Sequence, residues 1–182
     1  MKKIFFKRQI KNNIICLSNY KKNVLVADPN DILNKLQLGK VRSEGVEFDI
    51  QGQLSPELNI VLNYAFTEVK TIEDINPLNI GKRIEGHSKH TTNGWINYNF
   101  KEDSFLKGFG TMLGYQYLID RSTSNWGVDN KTILPDYLRL DAGINWRYKG
   151  LNLALNVNNL LNKYLYSGGI AGTVAYWQSE PG

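Results

Sequence analysis

Between Val46 and Phe66 the chain alternates with a period of two. Val46, Phe48, Ile50 and Leu54 fall on one face, and Glu47, Asp49, Gln51 and Gln53 on the other. Beyond Ser55-Pro56 the pattern resumes, with Leu58, Ile60, Leu62, Tyr64 and Phe66 opposite Asn59, Asn63 and Thr67. This predicts an amphipathic β-hairpin. The same alternation recurs downstream. Ile96, Tyr98 and Phe100 oppose Asn93, Asn97 and Asn99. Phe109, Leu113, Tyr115, Tyr117 and Ile119 oppose Gly110, Gly114 and Gln116. Leu138, Leu140, Ile144, Trp146 and Tyr148 oppose Arg139, Asp141, Asn145 and Arg147. Leu151, Leu153, Leu155 and Val157 oppose Asn152, Asn156 and Asn158. Six strands are predicted, at residues 43–54, 57–69, 91–100, 108–119, 137–148 and 151–159. Residues 1–40 read as irregular, with a strand end entering a loop at Asp28-Pro29, and a Gly-rich loop closes the chain.

The apolar face needs a partner, either the core of a soluble sandwich or lipid; alternation alone allows both. Three features favour lipid. The predicted strands run to about 9–13 residues, against a usual length of about 5–6 in globular proteins and about 9–11 for a tilted membrane-spanning strand. Connections alternate short and long, as in outer-membrane barrels with short turns at one end and long loops at the other. Aromatic residues sit near strand ends on the apolar face. Tyr64, Phe66, Tyr115 and Tyr117 lie beside the long loops, and Tyr98, Phe100, Trp146 and Tyr148 beside the short turns. These are two girdles, one for each membrane interface.

The bulk composition narrows the classes. The chain has 182 residues and a net charge of +5, much of it from Lys2, Lys3, Lys7, Arg8 and Lys11. Elsewhere basic residues alternate with acids, which argues against a nucleic-acid surface. Cys16 is the only cysteine, so neither an intramolecular disulfide nor a cysteine-based metal site is possible. No run approaches the roughly 18 apolar residues of a membrane-spanning helix. The first residues begin like a signal peptide, but Lys7, Arg8, Gln9 and Lys11 interrupt the apolar run and no small-residue cleavage site follows; no working export signal is expected there.

Four stretches resemble the TonB-dependent outer-membrane receptors, and the siderophore-receptor branch in particular. "GKVRSEGVEFDIQGQLSPELNIVLNYAFTEVK" is similar to the family's G-x-x-R-S-x-G-V-E stretch and Pro-containing turn. "GKRIEGHSKHTTNGWINYNF" resembles its loop-to-strand stretch with a Lys-His-Thr pattern, here Lys89-His90-Thr91. "LNVNNLLNKYLYSGG" resembles its N-[LF]-[LF]-[DN]-K-x-Y sequence, and "EPG" at Glu180–Gly182 the turn before its final strand. The resemblance covers about residues 23–182. It implies an all-β antiparallel transmembrane barrel, 22-stranded when whole, with an N-terminal plug domain. It implies energy-coupled import of ferric siderophores across the outer membrane of a Gram-negative bacterium.

On this reading residues 1–22 are an out-of-family or irregular segment. Residues 23–182 are a C-terminal portion of the barrel lacking the last strand, without the plug. Expected partners are outer-membrane lipid, a ferric siderophore and, only through the missing N-terminal part, the TonB system; nucleic acid is not among them. No enzymatic activity and no cofactor are expected, the transported ligand being a ferric siderophore. Such a fragment leaves strand edges that lipid cannot satisfy, so it should not insert stably alone. Three alternatives stand beside this reading. They are another outer-membrane barrel or passive porin, a soluble β-sandwich binding module, and a non-functional gene remnant.

No catalytic constellation is visible. His87 and His90 are three apart, but no further His or Cys completes a metal set. Glu73, Asp74 and Asp129 could hold a cation between loops, though loop acids usually face water. Gly168–Gly172 is Gly-rich without a helix-opening pattern, and Cys16 reads as inert. Parity turns Glu47, Asp49, Arg139, Asp141 and Arg147 toward the lumen, where pairing across neighbouring strands is the expected role. The ligand-binding candidates lie in and beneath the long loops: Arg83, Arg121, Trp126, Tyr137, Tyr166 and Trp177. Arginine supplies charge, and Trp and Tyr supply stacking faces for an anionic, partly aromatic ferric complex.

Overall fold

The computed structural model describes residues 9–28, 30–31, 33–84, 87–122, 124–125, 133–171 and 175–179. Its body is one antiparallel sheet. The strands are β1 (Gln9–Ala27), β2 (Lys35–Gln53), β3 (Leu58–Glu73), β4 (Ser88–Asn99), β5 (Phe109–Ser122), the two-residue β6 (Ser124–Asn125) and β7 (Ile133–Leu134), β8 (Tyr137–Tyr148), β9 (Leu151–Val157), β10 (Tyr166–Ala171) and β11 (Ala175–Ser179). The order across the sheet is β1-β2-β3-β4-β5-β8-β9, with β7 also on β5; β11, β10 and β6 form a small second sheet. Consecutive long strands are neighbours throughout, an up-and-down meander. It remains an open sheet, as expected of part of a barrel wall.

Register carries the apolar row straight across the strands. Phe48 lies opposite Tyr64 and Ile50 opposite Leu62. Leu58 then faces Tyr98, and Ile60 faces Ile96. Ile96 pairs with Leu113, Tyr115 with Leu140 and Phe109 with Trp146, and Ile144 with Leu155. Among the described residues nothing packs over this row. Ile96 is 51% exposed, Leu113 49% and Leu155 66%, whereas the buried apolar residues among those described are Val26, Leu134, Tyr137 and Leu165. A soluble sandwich would cover the row with a second sheet about 10 Å away. A single layer with its apolar face open has lipid as its natural solvent.

Both edges of the band are marked. At the short-turn end Trp146 stacks on Tyr148, and Tyr98 meets Phe100 edge-on. At the other end Tyr64 Oη lies 2.8 Å from His90 Nδ1, and Phe66 rests against the same imidazole. Just past Phe66 charges take over, with ion pairs Arg42–Glu44, Lys70–Glu68 and Lys89–Glu68. From Leu58 to Phe66 the strand advances roughly 26 Å at about 3.3 Å per residue. That suits a tilted crossing of an apolar band about 25 Å tall or less.

The short turns have sequence-encoded causes. Lys149 (φ 44°) and Gly150 (φ 86°) are both left-handed, as a two-residue primed hairpin turn requires. Ser55 caps the β2–β3 turn, its Oγ accepting from the Leu58 amide at 3.2 Å.

Three expectations are corrected. The described part of residues 1–40 is mostly strand: β1 occupies Gln9–Ala27, pairs with β2 along its length, and runs through residue 22. The closing loop also holds the β10–β11 hairpin. The long loop expected at 70–90 is shorter, because β3 continues to Glu73 and β4 starts at Ser88.

Candidate functional site

The connections from β3 to β4 and from β5 to β8 leave from one end of the sheet, and Arg83, Arg121 and Tyr137 gather there. Arg121 ends β5 and Tyr137 opens β8, strands paired as Leu118 with Tyr137. The Arg121 guanidinium lies over the Tyr137 ring, 5.5 Å from its centroid, and Nη1 donates to the Pro135 carbonyl at 3.3 Å. Both side chains are buried, at 4% and 3% exposure. The preceding residue, Asp120, has φ 52°; this positive φ interrupts plain strand alternation just before Arg121.

From Tyr137 a polar chain descends the inner face of β8. Arg139 Nη1 reaches Tyr137 Oη at 3.5 Å, and Arg139 Nε donates to Asp141 Oδ2 at 3.1 Å. Asp141 is buried, and its Oδ1 accepts the Asn159 amide at 2.9 Å. Asn159 in turn holds Lys163 twice: Nδ2 donates to the Lys163 carbonyl and Oδ1 accepts the Lys163 amide. The Asn159–Lys163 part of the quoted C-terminal motif therefore closes a turn pinned onto β8. The expected charge pairing thus occurs, but between Arg139 and Asp141 it runs along one strand. Across strands Asp49 accepts a hydrogen bond from the Asn63 amide group.

Arg83 belongs to a second cluster. Its Nη1 pairs with Asp120 Oδ1 at 2.9 Å, and Nη2 donates to the Asp120 carbonyl at 2.7 Å. Arg83 and Arg121 are thus brought to one region, each held by different groups. Tyr166 starts β10 opposite Ser179. Trp177 lies in β11 opposite Gly169, with its side chain outside the described part. Trp126 and Asp129 lie outside the described residues.

His90 is engaged by Tyr64 and Phe66, and His87 lies beside Arg83, so the two imidazoles serve different clusters. Burial, with the Arg83 charge second, lowers the His87 pKa. Among the described residues no group of three or more His, Cys, Asp or Glu could hold a metal ion. Sequence reasoning missed Asp120, whose role depends on its backbone turn, and Asn159, which was legible only inside its motif.

Chemically, the cluster offers guanidinium groups and a phenol ring stacked on the inner wall under the loops. That is equipment for holding an anionic or aromatic group.

Comparison with known proteins agrees with this architecture. Residues 18–160 match the family described as TonB dependent receptor-like, beta-barrel. An uncharacterized TonB-dependent receptor of Haemophilus influenzae is 33% identical over 172 residues, covering 90% of this chain and 49% of that protein. The ferrichrome outer membrane transporter/phage receptor of Escherichia coli K12 is 26% identical over 163 residues, covering 88% of this chain and 21% of that protein. The chain therefore spans about half the length of the first relative and about a fifth of the second. Among solved structures, the pyoverdine outer membrane receptor FpvA of Pseudomonas aeruginosa PAO1 superposes with a TM-score of 0.75 at 17% identity, over 92% of this chain and 25% of that one. At that identity the likeness speaks for the fold alone. The match begins at residue 18, inside β1, so family-like sequence reaches further toward the N-terminus than residue 23. An open antiparallel meander with a lipid-facing apolar band, a polar inner wall and long loops at one end is part of a barrel wall, and the chain belongs to the TonB-dependent receptor β-barrel family of the outer membrane.

Proposed function

We propose that this chain forms part of the barrel wall of a receptor that binds ferric siderophores at the cell surface and imports them with energy from the TonB system. The observation that carries the ligand side is the Arg121–Tyr137–Arg139 cluster on the inner wall directly beneath the long loops. Cationic and aromatic groups there suit an anionic chelate with flat donor rings. The relatives named as transporters and receptors support the transport role. The protein holds no cofactor of its own, iron being cargo, and performs no bond-making chemistry. Coupling to TonB would act through the part of the receptor outside this chain.

The test uses the receptor that carries this segment, titrated with hydroxamate and catecholate ferric siderophores and followed by intrinsic fluorescence. At least one class should bind, and Tyr137→Ala or Arg121→Lys should weaken it by about tenfold, the loss of one good polar or stacking contact. Unchanged affinity in both variants would remove this cluster from the binding site. Absence of binding by every class would overturn the siderophore assignment itself.

A further inference from the structure

The loop between β3 and β4 does not hang free. It folds back along β3 as a narrow ribbon. Thr71 N donates to the Lys82 carbonyl at 3.0 Å, Gly81 N to Thr71 at 2.8 Å, and Ile84 N to Val69 at 2.8 Å. Arg83 bridges Lys70 within this ribbon. Its guanidinium then leaves for β5, where Asp120 accepts from it twice, through the carboxylate at 2.9 Å and through the backbone carbonyl at 2.7 Å. The positive φ of Asp120 turns that peptide so one residue can offer both acceptors. β3 and β5 are not neighbours, because β4 lies between them. One side chain therefore ties the β3–β4 loop to the root of the loop that follows Ser122.

His87 sits at the same junction. Its carbonyl accepts a third bond from Arg83 at 3.3 Å. Its Nε2 is buried without a hydrogen-bond partner, and so is Arg83 Nε. The charged groups around it are Arg83 on its own loop and Asp120 on β5. The Lys89–Glu68 ion pair, 3.9 Å long, lies alongside on β4 and β3. His90 is turned away to Tyr64.

We propose that Arg83 and Asp120 form a clasp that holds the β3–β4 loop to the end of β5, and that protonation of His87 opens the clasp in acid. A neutral imidazole is tolerated beside the guanidinium. A protonated one places a second half-buried cation next to Arg83, against the single, half-exposed Asp120 carboxylate of the clasp. Opening transfers the ring to water, where it takes up a proton in the ordinary histidine range. Since burial and Arg83 hold His87 below that range in the clasped state, the clasp is fully favoured above it and weakens as pH falls through it toward the lower, clasped value. This holds whichever ligand the receptor takes.

The experiment is hydrogen exchange, read by mass spectrometry on the receptor purified from outer membranes. The peptides spanning residues 69–84 carry the Thr71, Gly81 and Ile84 amides. Their protection, corrected for intrinsic exchange, should fall by about threefold or more between about pH 7.5 and pH 5.5, while that of the β8–β9 hairpin stays constant. His87→Gln should keep the protection and lose its pH dependence. Asp120→Asn should lower protection of the same peptides at both pH values. The proposal is overturned if His87→Gln retains the wild-type pH dependence. It is equally overturned if wild-type protection is flat, or if Asp120→Asn leaves the protection of residues 69–84 unchanged.

Discussion

Trp95 lies flat across Gly114 on the neighbouring strand: a β-carbon built on Gly114 would stand 2.6 Å from the six-membered ring of the indole. The pair sits on the inner wall, where Trp95 keeps 41% of its surface exposed. The glycine contributes no packing of its own and serves as the floor on which the aromatic ring rests.

Gly114→Ala therefore forces the indole off its seat, because the strand backbone cannot yield. A cost of about 1–3 kcal/mol is expected, the usual range for overpacking. Introduced into Trp95→Ala, the same substitution should cost less by about 1 kcal/mol, a coupling between touching residues. Urea unfolding of the receptor in vesicles measures all four states. Equal costs in the two backgrounds would mean that the ring is not what the alanine meets.

At the opposite rim the stacked pair Trp146–Tyr148 has centroids 5.5 Å apart and planes 3° from parallel, with Phe109 against the same indole at 5.9 Å. Trp146→Ala removes two ring contacts, each worth about 0.5–1.5 kcal/mol beyond area. A loss of about 2 kcal/mol is expected in bilayers, and Trp146→Phe should recover about half. Tryptophan quenching by lipids brominated at different depths should place Trp146 near the headgroups; quenching at the bilayer centre would contradict the girdle.

Asp141 holds two elements at once, the Arg139 guanidinium and the Asn159 amide. Asp141→Asn keeps an acceptor for the amide and loses the charge on Arg139, which is one-third exposed, so about 1 kcal/mol is expected. Asp141→Ala leaves a buried amide without an acceptor and should cost about 2–3 kcal/mol. Limited proteolysis within 158–165 should quicken for the alanine variant and stay near wild type for the asparagine variant. Equal cleavage rates would separate Asp141 from the turn.

The legibility of this fold follows the lipid. Where a strand crosses the apolar band, one face must be greasy and the other wet, and the alternation in β3, β5 and β8 is plain. β8 is observed at Tyr137–Tyr148, the range the pattern predicts. Outside the band that requirement lapses. The first part of β2, from Lys35 to Arg42, projects past the Tyr64–His90 level, and its alternation through Leu36 and Leu38 breaks at Lys40. β1 is harder still. Its register places Ile14 and Cys16 with Phe48 and Val46, but Asn12 falls on that same face, while Ile15 and Leu17 fall on the other. A strand assigned by pairing partner instead of by its own pattern is invisible to a reading of period. The site was legible as residue types near loops. That Arg121 would lie on Tyr137 while Arg83 would take Asp120 depends on one positive φ at Asp120, which no spacing encodes.

The charges that begin just beyond Phe66, facing the girdle at Trp146 across the band, turn this wall into a ruler. A membrane thicker than the span would draw the Arg42–Glu44 and Lys70–Glu68 pairs into hydrocarbon, and a thinner one would strand Leu58 and Ile144, beside the short-turn girdle, in water. Either departure costs a fraction of a kcal/mol per ångström, paid again on every strand. Bilayer thickness should thus tune the stability of the wall more than its own interior does, because its largest apolar surface has lipid on the other side.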